Sequence, residues 1–173
     1  YRAGHIPGAV NVTYGSWAIK KGDLLNELPP LDDLSEVIGN AGINKDSLVV
    51  IVGKTDKVPD QFDMTRVAWT LKYLGVPNVA ILSGGQNQWV KEKKPLSQDM
   101  VKAKAKPFKA SITAKLYVNK AYVMDNLGKA TIIDTRAPAF YQAKEKLPFV
   151  PKLGRIKGAV NLPVGALYTP EGL

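Results

Sequence analysis

Cysteine is absent from this 173-residue sequence, and histidine occurs once, at position 5. The chain can therefore form no disulfide, bind no metal through thiolates and perform no thiol chemistry with residues of its own. As a general base, His5 would need a nucleophile beside it, but the sequence has neither a cysteine nor the GxSxG motif that presents a catalytic serine. We expect His5 to be structural and predict no metal site.

Long apolar runs and phosphate-binding motifs are missing as well. The longest hydrophobic stretch is far shorter than the roughly 20 residues that span a bilayer, so no membrane partner is expected. Neither GxGxxG nor GxxxxGK occurs, and we interpret Gly84 and Gly85 as a tight turn between a strand and a helix. No cofactor is predicted. The sequence opens on Tyr1 and a targeting region is not visible in it, which leaves a cytoplasmic or a periplasmic location open.

Positive charge is abundant, with 24 Lys and Arg against 15 Asp and Glu and a net charge of +9. Such a surplus favours anionic partners. Eight lysines lie between residues 91 and 115, in a stretch that Pro95 and Pro107 interrupt and that shows no helical or strand period. Only Phe108 lies among these lysines, so the aromatic stacking surfaces of a nucleic-acid site are missing. We interpret residues 96–115 as a solvated linker and expect no nucleic-acid partner.

Predicted helices and strands alternate along the chain. Helices are indicated by apolar residues that share one face, and buried strands by short apolar runs rich in β-branched residues. This alternation is typical of an α/β fold, with a mostly parallel sheet covered by helices on both faces. The predicted helices are residues 28–42, 62–75, 86–94 and 118–128, and the predicted strands are residues 47–53, 78–82 and 130–136.

One short sequence occurs twice, 150 positions apart. GHIPGAVNV at residues 4–12 returns as GRIKGAVNL at residues 154–162, with six of nine residues identical. A helix and the strand TIIDTR precede the second copy, whereas the strands VVIVG and AILSGG follow the first. The first copy lacks the preceding helix and strand, and the second copy lacks the strands that follow. The sequence therefore indicates a segment that spans parts of two tandem units.

These motifs, in this order, resemble the tandem rhodaneses, the family of thiosulfate and 3-mercaptopyruvate sulfurtransferases. The resemblance implies an α/β fold in which each rhodanese-like unit is a parallel five-stranded sheet with helices on both faces. It implies a non-catalytic first unit at residues 1–95, the Lys-rich linker at residues 96–115 and the front part of a second unit at residues 116–173. Both tandem units are expected to be incomplete in this sequence.

The resemblance also implies sulfur transfer. In the family, a cysteine of the second unit takes a sulfane sulfur from thiosulfate or 3-mercaptopyruvate and passes it, as a persulfide, to a thiophilic acceptor. Backbone N–H groups around the sulfur and the N-terminal end of the following helix stabilise such an anion. The corresponding loop of the first unit, GKTDKVPDQ at residues 53–61, contains no cysteine. The repeat places the second unit's loop about 30 residues beyond Leu173, so no catalytic residue is expected here.

Asp134 and Arg136 are the candidate site residues, as a shell around the substrate pocket. They follow a predicted parallel strand, and the carboxyl edge of an open α/β sheet faces the ligand crevice. A salt bridge that holds the next loop is the other interpretation. In sulfurtransferases of this family an arginine shortly after the motif binds the donor, but this sequence has Phe140 near that place. Three lysines follow that could replace it: Lys144, Lys146 and Lys152.

The expected partners are a small anionic sulfur donor, a thiophilic acceptor and the remaining segments of the same protein. A cysteine-free binding or scaffold module is the alternative, and phosphatase-like chemistry is a third possibility because dual-specificity phosphatases share the fold. A cysteine in a six-residue loop would favour sulfur transfer, a loop one residue longer would accommodate phosphate, and a loop without cysteine would leave binding. Because unpaired strand edges are costly, we expect residues 116–173 not to fold independently.

Overall fold

The computed structural model describes residues 1–168, so expectations for residues 169–173 lie outside the described part. The chain divides into two compact units, with the boundary after Leu116. We call residues 1–116 unit 1 and residues 117–168 unit 2. Within residues 1–168 no helix is long and apolar enough to cross a bilayer, and no three His, Asp or Glu side chains are grouped to hold a metal ion.

Unit 1 contains two small sheets and three helices. The first sheet is an antiparallel hairpin of β1 and β2, and the second pairs β3 with β4 in parallel, with Val50 opposite Ala80. A helix connects the two parallel strands, as parallel pairing requires. The elements are β1 (Ile19–Lys21), β2 (Leu24–Glu27), α1 (Leu31–Asn40), β3 (Val49–Ile51), α2 (Val58–Tyr73), β4 (Val79–Ile81) and α3 (Gly85–Lys91).

The core of unit 1 lies between the β3–β4 sheet and the first two helices. The apolar stripe predicted for α1 is confirmed, because Leu34 and Ile38 are fully buried. Leu71 of α2 and Trp17 join them, and Val49 packs against this cluster. Burying a side chain of this size stabilises the fold by roughly 1.5–3 kcal/mol. Unit 1 therefore has a hydrophobic core of its own.

Helix α2 begins four residues earlier than predicted, at Val58 instead of residue 62. Pro59 fits the first turn, where a helix needs no N–H from that residue, and the Asp60 carboxylate accepts a hydrogen bond from the Lys57 N–H at 3.1 Å. The prediction of a loop over residues 53–61 was therefore wrong, because residues 58–61 belong to α2. The connection between β3 and α2 is shorter, because a proline there starts the helix instead of interrupting it. At the other end, Gly75 follows the helix with φ of 93°, a conformation that favours glycine.

The lysine-rich stretch at residues 96–115 lies along unit 1 and is not a solvated linker. The N–H of Ser111 donates to the Leu74 carbonyl at 3.0 Å, and the N–H of Lys106 donates to the Gly39 carbonyl at 3.0 Å. These carbonyls belong to the carboxyl ends of α2 and α1, where helices leave acceptors without internal partners. Phe108 packs against the core while the lysines point to solvent. The segment KAKAKPFKA thus has a partial two-residue alternation that the sequence interpretation missed.

Unit 2 is smaller and has little core. It contains α4 (Lys120–Asp125), β5 (Ile133–Asp134), α5 (Pro138–Tyr141) and β6 (Val160–Asn161), and β5 pairs with β6 in parallel. Asn119 caps the N-terminus of α4, because its side chain accepts a hydrogen bond from the Tyr122 N–H at 2.9 Å. Within residues 117–168, Ala159 is the only buried residue.

The parallel five-stranded sheet expected from the resemblance is not present in residues 1–168, which form three two-stranded sheets. The reason is the distribution of the strands. Unit 1 holds the pair that follows the repeated motif, and unit 2 holds the pair formed by the motif and the strand before it. In unit 1 the repeated residues 10–12 pair with no described strand.

Candidate functional site

A tyrosine supports the repeated motif in unit 2. The Tyr141 hydroxyl donates a hydrogen bond to the Ala159 carbonyl at 2.8 Å. The Arg155 guanidinium lies over the Tyr141 ring, 4.3 Å from its centroid, and donates to the Tyr141 carbonyl at 3.1 Å. This contact gives Arg155 a stacking position that suits its planar cation.

Unit 1 repeats this arrangement with different residues. The Tyr1 hydroxyl donates to the Ala9 carbonyl at 2.9 Å, and the His5 ring stacks on the Tyr1 ring at 3.7 Å between centroids. His5 is buried, and its Nδ1 donates to the Tyr1 carbonyl at 3.1 Å because a carbonyl can only accept. The predicted structural role of His5 is confirmed. It occupies the place that Arg155 has in unit 2.

Sequence reasoning missed the two tyrosines because the spacing differs between the copies. Tyr1 precedes the first glycine of its motif by three positions, whereas Tyr141 precedes Gly154 by thirteen. The ten additional residues at 144–153 hide the correspondence. A sequence comparison of the two units that allowed one insertion between the tripeptide Tyr-x-Ala and the repeated motif would have found this correspondence.

Asp134 and Arg136 are brought together at the carboxyl end of β5. The Arg136 Nε donates to Asp134 Oδ1 at 2.9 Å and its Nη2 donates to Oδ2 at 2.6 Å, which makes a bidentate pair. Nη2 also donates to the Gly154 carbonyl at 2.9 Å, so the pair connects the strand end to the repeated motif. The hydrogen bond from Arg136 lowers the pKa of Asp134 below its ordinary value, and the carboxylate raises the pKa of Arg136 in return.

Asn161 fixes the same strand end from the neighbouring strand. Its Nδ2 donates to the Asp134 carbonyl at 2.8 Å and to the Arg136 carbonyl at 2.9 Å. These two bonds hold the backbone where β5 turns into the next loop. The sequence signalled this residue, because Asn161 repeats Asn11, but its role was not recognised.

The three lysines proposed as substitutes for a donor-binding arginine are not brought to this cluster. Lys146 donates to the Val150 carbonyl at 2.9 Å, within the inserted segment. In the part of the chain that the structure describes, Lys144 and Lys152 are exposed and form no ion pair with Asp134. The geometry therefore places a single cation, Arg136, in direct contact with the carboxylate at this strand end.

The loop between β3 and α2 in unit 1 is fixed by α3. The N–H of Thr55 donates to Asn87 Oδ1 at 3.1 Å, and the Thr55 hydroxyl donates to the Gly84 carbonyl at 3.2 Å. Gly85 has φ of 55°, and a Cβ there would lie 2.4 Å from the Gly53 carbonyl oxygen. The predicted tight turn at Gly84 and Gly85 is confirmed, and it lets α3 approach the loop closely.

A cavity of about 800 Å³ opens beside β3 in unit 1. Its apolar lining includes Val10, Val12 and the residues of β3, and its polar lining includes Tyr14 and Asp63. Burial raises the pKa of Tyr14, and the nearby Asp63 carboxylate raises it further. Burial also raises the pKa of Asp63, with Asp60 as the second cause. The cavity therefore combines apolar walls with a partly buried carboxylate whose pKa is raised.

Comparison with known proteins gives these features a family context. The model of the rhodanese-like domain matches residues 1–92, which is more than half of the chain. The chain belongs to the rhodanese-like domain family. Its α/β content is that of a rhodanese-like fold.

The relatives of this rhodanese-like chain include named sulfurtransferases. A thiosulfate sulfurtransferase of Mus musculus is 28% identical over 176 residues, covering 99% of this chain and 59% of the relative. A 3-mercaptopyruvate sulfurtransferase of the same species is 25% identical and covers 98% of this chain and 57% of the relative. The crystal structure of SseA from Escherichia coli, a 3-mercaptopyruvate sulfotransferase with the rhodanese fold, matches with a TM-score of 0.73 and 28% identity.

The rhodanese-like chain is shorter than these proteins. It spans about 59% of the mouse thiosulfate sulfurtransferase, and its match to the SseA structure covers 94% of this chain and 60% of the other. The general class of the relatives is sulfur transfer. None of the 173 residues is the cysteine on which thiol-based sulfur transfer depends.

Proposed function

We propose that the chain is part of a tandem-domain sulfurtransferase that moves a sulfane sulfur from thiosulfate or 3-mercaptopyruvate to a thiophilic acceptor. The observation that carries this proposal is the match to thiosulfate sulfurtransferase, which is 28% identical across 99% of the chain. A similarity that extends through both units supports a common architecture beyond the domain model's residues 1–92. In this proposal, unit 1 is non-catalytic and unit 2 belongs to the catalytic half.

The proposed chemistry uses a cysteine located beyond residue 173. Its thiolate attacks the outer sulfur of thiosulfate, the S–S bond of the donor breaks, and sulfite leaves with the electron pair. The persulfide then gives its outer sulfur to an acceptor such as cyanide, and the thiolate is restored. An anionic persulfide requires backbone N–H groups and a helix N-terminus around it, which the loop between a parallel strand and its helix supplies.

Asp134 and Arg136 have a place in this proposal as the wall of the substrate pocket. They lie at the carboxyl end of β5, the edge at which open α/β sheets bind ligands. The bidentate contact fixes the guanidinium, and the Arg136 side chain remains 44% exposed. An arginine that is held and partly exposed in this way suits an anionic donor, because little side-chain entropy is lost on binding.

A cysteine-free binding or scaffold module is the second candidate function. The specific observation in its favour is the absence of cysteine from the loop of unit 1 and from the whole sequence. Such a module would use the same rhodanese-like framework to bind a partner without chemistry. Sulfur transfer requires a cysteine and the binding module has none, so a chemical test for a reactive cysteine separates the two candidate functions.

The test is a persulfide trap on the full-length protein. The protein is incubated with thiosulfate or 3-mercaptopyruvate, alkylated and digested, and each cysteine peptide is weighed by mass spectrometry. Sulfur transfer predicts one peptide from the catalytic half that gains the mass of one sulfur atom, and its substitution by serine abolishes turnover. A full-length protein without cysteine in that half would overturn the proposal and leave the binding module.

A further inference from the structure

A row of three lysines lies on the surface of unit 1 beside the carboxyl end of α1. Lys102, Lys104 and Lys106 are exposed, and none of them forms an ion pair within residues 1–168. We call these three residues the lysine row. The sequence has no acidic residue between Asp99 and Asp125. The three positive charges therefore lie close together without a carboxylate of their own segment to neutralise them.

The backbone of residues 102–106 is held in place by α1. The Lys106 N–H donates to the Gly39 carbonyl at 3.0 Å. A Cβ at Gly39 would lie 2.6 Å from the Lys106 carbonyl oxygen, and one at Gly42 would lie 3.1 Å from the Lys104 carbonyl oxygen. Both carbonyl oxygens therefore approach α1 from positions two residues apart, and a period of two is that of an extended chain.

The extended backbone gives the lysine row a regular spacing. Successive residues of an extended chain rise about 3.3 Å, so alternate residues follow one another at about 6.6 Å. Ala103, between two of the lysines, is half-buried and lies 3.2 Å from the Cβ position of Gly42. Because the protein already orders this backbone, a partner that binds the row loses little affinity to ordering of the chain.

A second cavity of unit 1, of about 540 Å³, lies at the end of the row. Phe108, two residues after Lys106, contributes to its wall. The surface thus offers an apolar depression next to the row of positive charges. The lining combines apolar side chains with two lysines and one carboxylate: Pro107, Phe108, Ala110, Lys45, Lys109 and Asp46.

We propose that the lysine row and this second cavity form a docking surface for an acidic segment of a partner protein. The segment is extended and has Asp or Glu at alternate positions, because such carboxylates repeat at about 6.6 Å, as the lysines do. An apolar side chain beyond the last carboxylate enters the cavity. The inference goes beyond the proposed function, since a sulfurtransferase and a binding module would both present this surface.

Two observations favour an acidic protein segment over other occupants. The only aromatic residue of residues 102–115 is Phe108, which packs against the core instead of standing free to stack on nucleic-acid bases. No two acidic residues of the 173-residue sequence are two positions apart, so a second copy of the chain does not supply alternating carboxylates. The chemistry of the surface therefore fits an acidic segment of another protein.

The experiment uses the full-length protein and the labelled peptide LTETETETL as the probe. The peptide has glutamate at alternate positions and a leucine at each end, so either chain direction brings one leucine to the cavity. Fluorescence anisotropy measures binding, and carbodiimide cross-linking joins carboxylates to the lysine amines that they contact. We expect saturable binding that weakens with added salt, and mass spectrometry should locate the cross-links at the lysine row.

Two triple variants test the position of the charges. Replacing the row, by Lys102→Gln, Lys104→Gln and Lys106→Gln, should weaken binding about tenfold, because three exposed ion pairs of ordinary strength are lost. The control variant removes the same charge from other exposed lysines of unit 1 and should leave the affinity within about twofold. Its substitutions are Lys20→Gln, Lys21→Gln and Lys91→Gln.

A second peptide, LTTEEETTL, has the same composition with its glutamates adjacent, and it should bind several-fold more weakly. Equal affinity of the two peptides, or equal losses in the two triple variants, would overturn the proposal. Absence of peptide binding, or cross-links mainly outside the row, would overturn it as well. Tighter binding of a single-stranded oligonucleotide at the same lysines would assign the surface to nucleic acid instead. The wild-type cross-links decide the matter even if a variant is poorly folded.

Discussion

At the scale of the residue, the position after the motif's first glycine is a stacking position. His5 and Arg155 have different chemistry, yet each lies against the tyrosine whose hydroxyl holds the motif's alanine carbonyl. What the two copies share is the planar side chain and its contact with a ring. This explains why a lone histidine can occur in a conspicuous motif without acting as a base.

Tyr1 should contribute measurably to the stability of unit 1. The Tyr1 hydroxyl donates to the Ala9 carbonyl at 2.9 Å and accepts from the Val101 N–H at 3.2 Å. We expect Tyr1→Phe to lower the free energy of unfolding by roughly 1–3 kcal/mol, because partly buried groups lose their partner. Urea denaturation measures the change. Tyr122→Phe, at an exposed ring, serves as the control, and equal effects of the two substitutions would contradict this role.

Asp63 should destabilise unit 1 when it is ionised. Burial and the neighbouring Asp60 raise its pKa in the folded chain, so folding favours the protonated form. That contribution is present below the carboxyl's unfolded pKa, about 3.9, and is lost as the pH rises through the higher folded value. We therefore expect Asp63→Asn to raise the Tm at pH 7 and to have little effect near pH 3. The exposed Asp46 provides the control Asp46→Asn, and a lower Tm for Asp63→Asn at pH 7 would refute the assignment.

At the scale of the element, the sequence predicted whether a segment is a helix or a strand better than it predicted where that segment begins and ends. Strands β3 and β4 and the stripe of α1 were predictable because an apolar run or a helical period records burial directly. The start of α2 was missed because Pro59 is a helix starter or a loop residue according to what surrounds it. The lysine-rich segment was misread since its backbone partners, the ends of α1 and α2, are distant in sequence.

At the candidate site, too, the sequence predicted contacts between near neighbours and missed contacts between distant residues. Asp134 and Arg136 were predictable as neighbours at a strand end, because they are two residues apart in a polar turn. Their contact with Gly154 and the bonds from Asn161 depend on the parallel pairing of β5 with β6. Such long-range pairing leaves no local signal in the sequence.

The turn between β4 and α3 should tolerate no side chain at Gly85. Alanine there would have a positive φ and a Cβ 2.4 Å from the Gly53 carbonyl oxygen. Gly128 offers a matched control, with φ of 76° and nothing within 4 Å of its Cβ position. We expect Gly128→Ala to cost about 1–2 kcal/mol through backbone strain alone, and Gly85→Ala to cost clearly more. Thermal unfolding compares the two variants, and equal losses would show that the close approach is unimportant.

At the scale of the whole molecule, the two units differ in how they are stabilised. Unit 1 has a cluster of fully buried side chains, whereas Ala159 is the only buried residue among residues 117–168. Domains retain only about 5–15 kcal/mol of stability, and each unpaired buried backbone group costs roughly 1–3 kcal/mol. A unit with one buried residue has little to offset such costs.

We therefore expect unit 2 not to fold on its own in the 173-residue chain. In hydrogen exchange, the amides of residues 131–136 and 158–163 should exchange nearly as fast as an unfolded peptide, while those of α2 remain protected. The protected α2 amides provide the internal control. Protection of both unit 2 segments at the level of α2 would show that unit 2 is a stable fold without further segments.

We propose that this chain contains the framework of a sulfurtransferase and not its nucleophile. A thiosulfate:cyanide and a 3-mercaptopyruvate assay test it most directly when the purified 173-residue chain and the full-length protein are measured side by side. We expect turnover by the full-length protein and none by the 173-residue chain above a heat-inactivated sample, because a sulfur carrier requires a thiolate and the chain has no cysteine. Turnover by the 173-residue chain alone, or none by either protein, would contradict it.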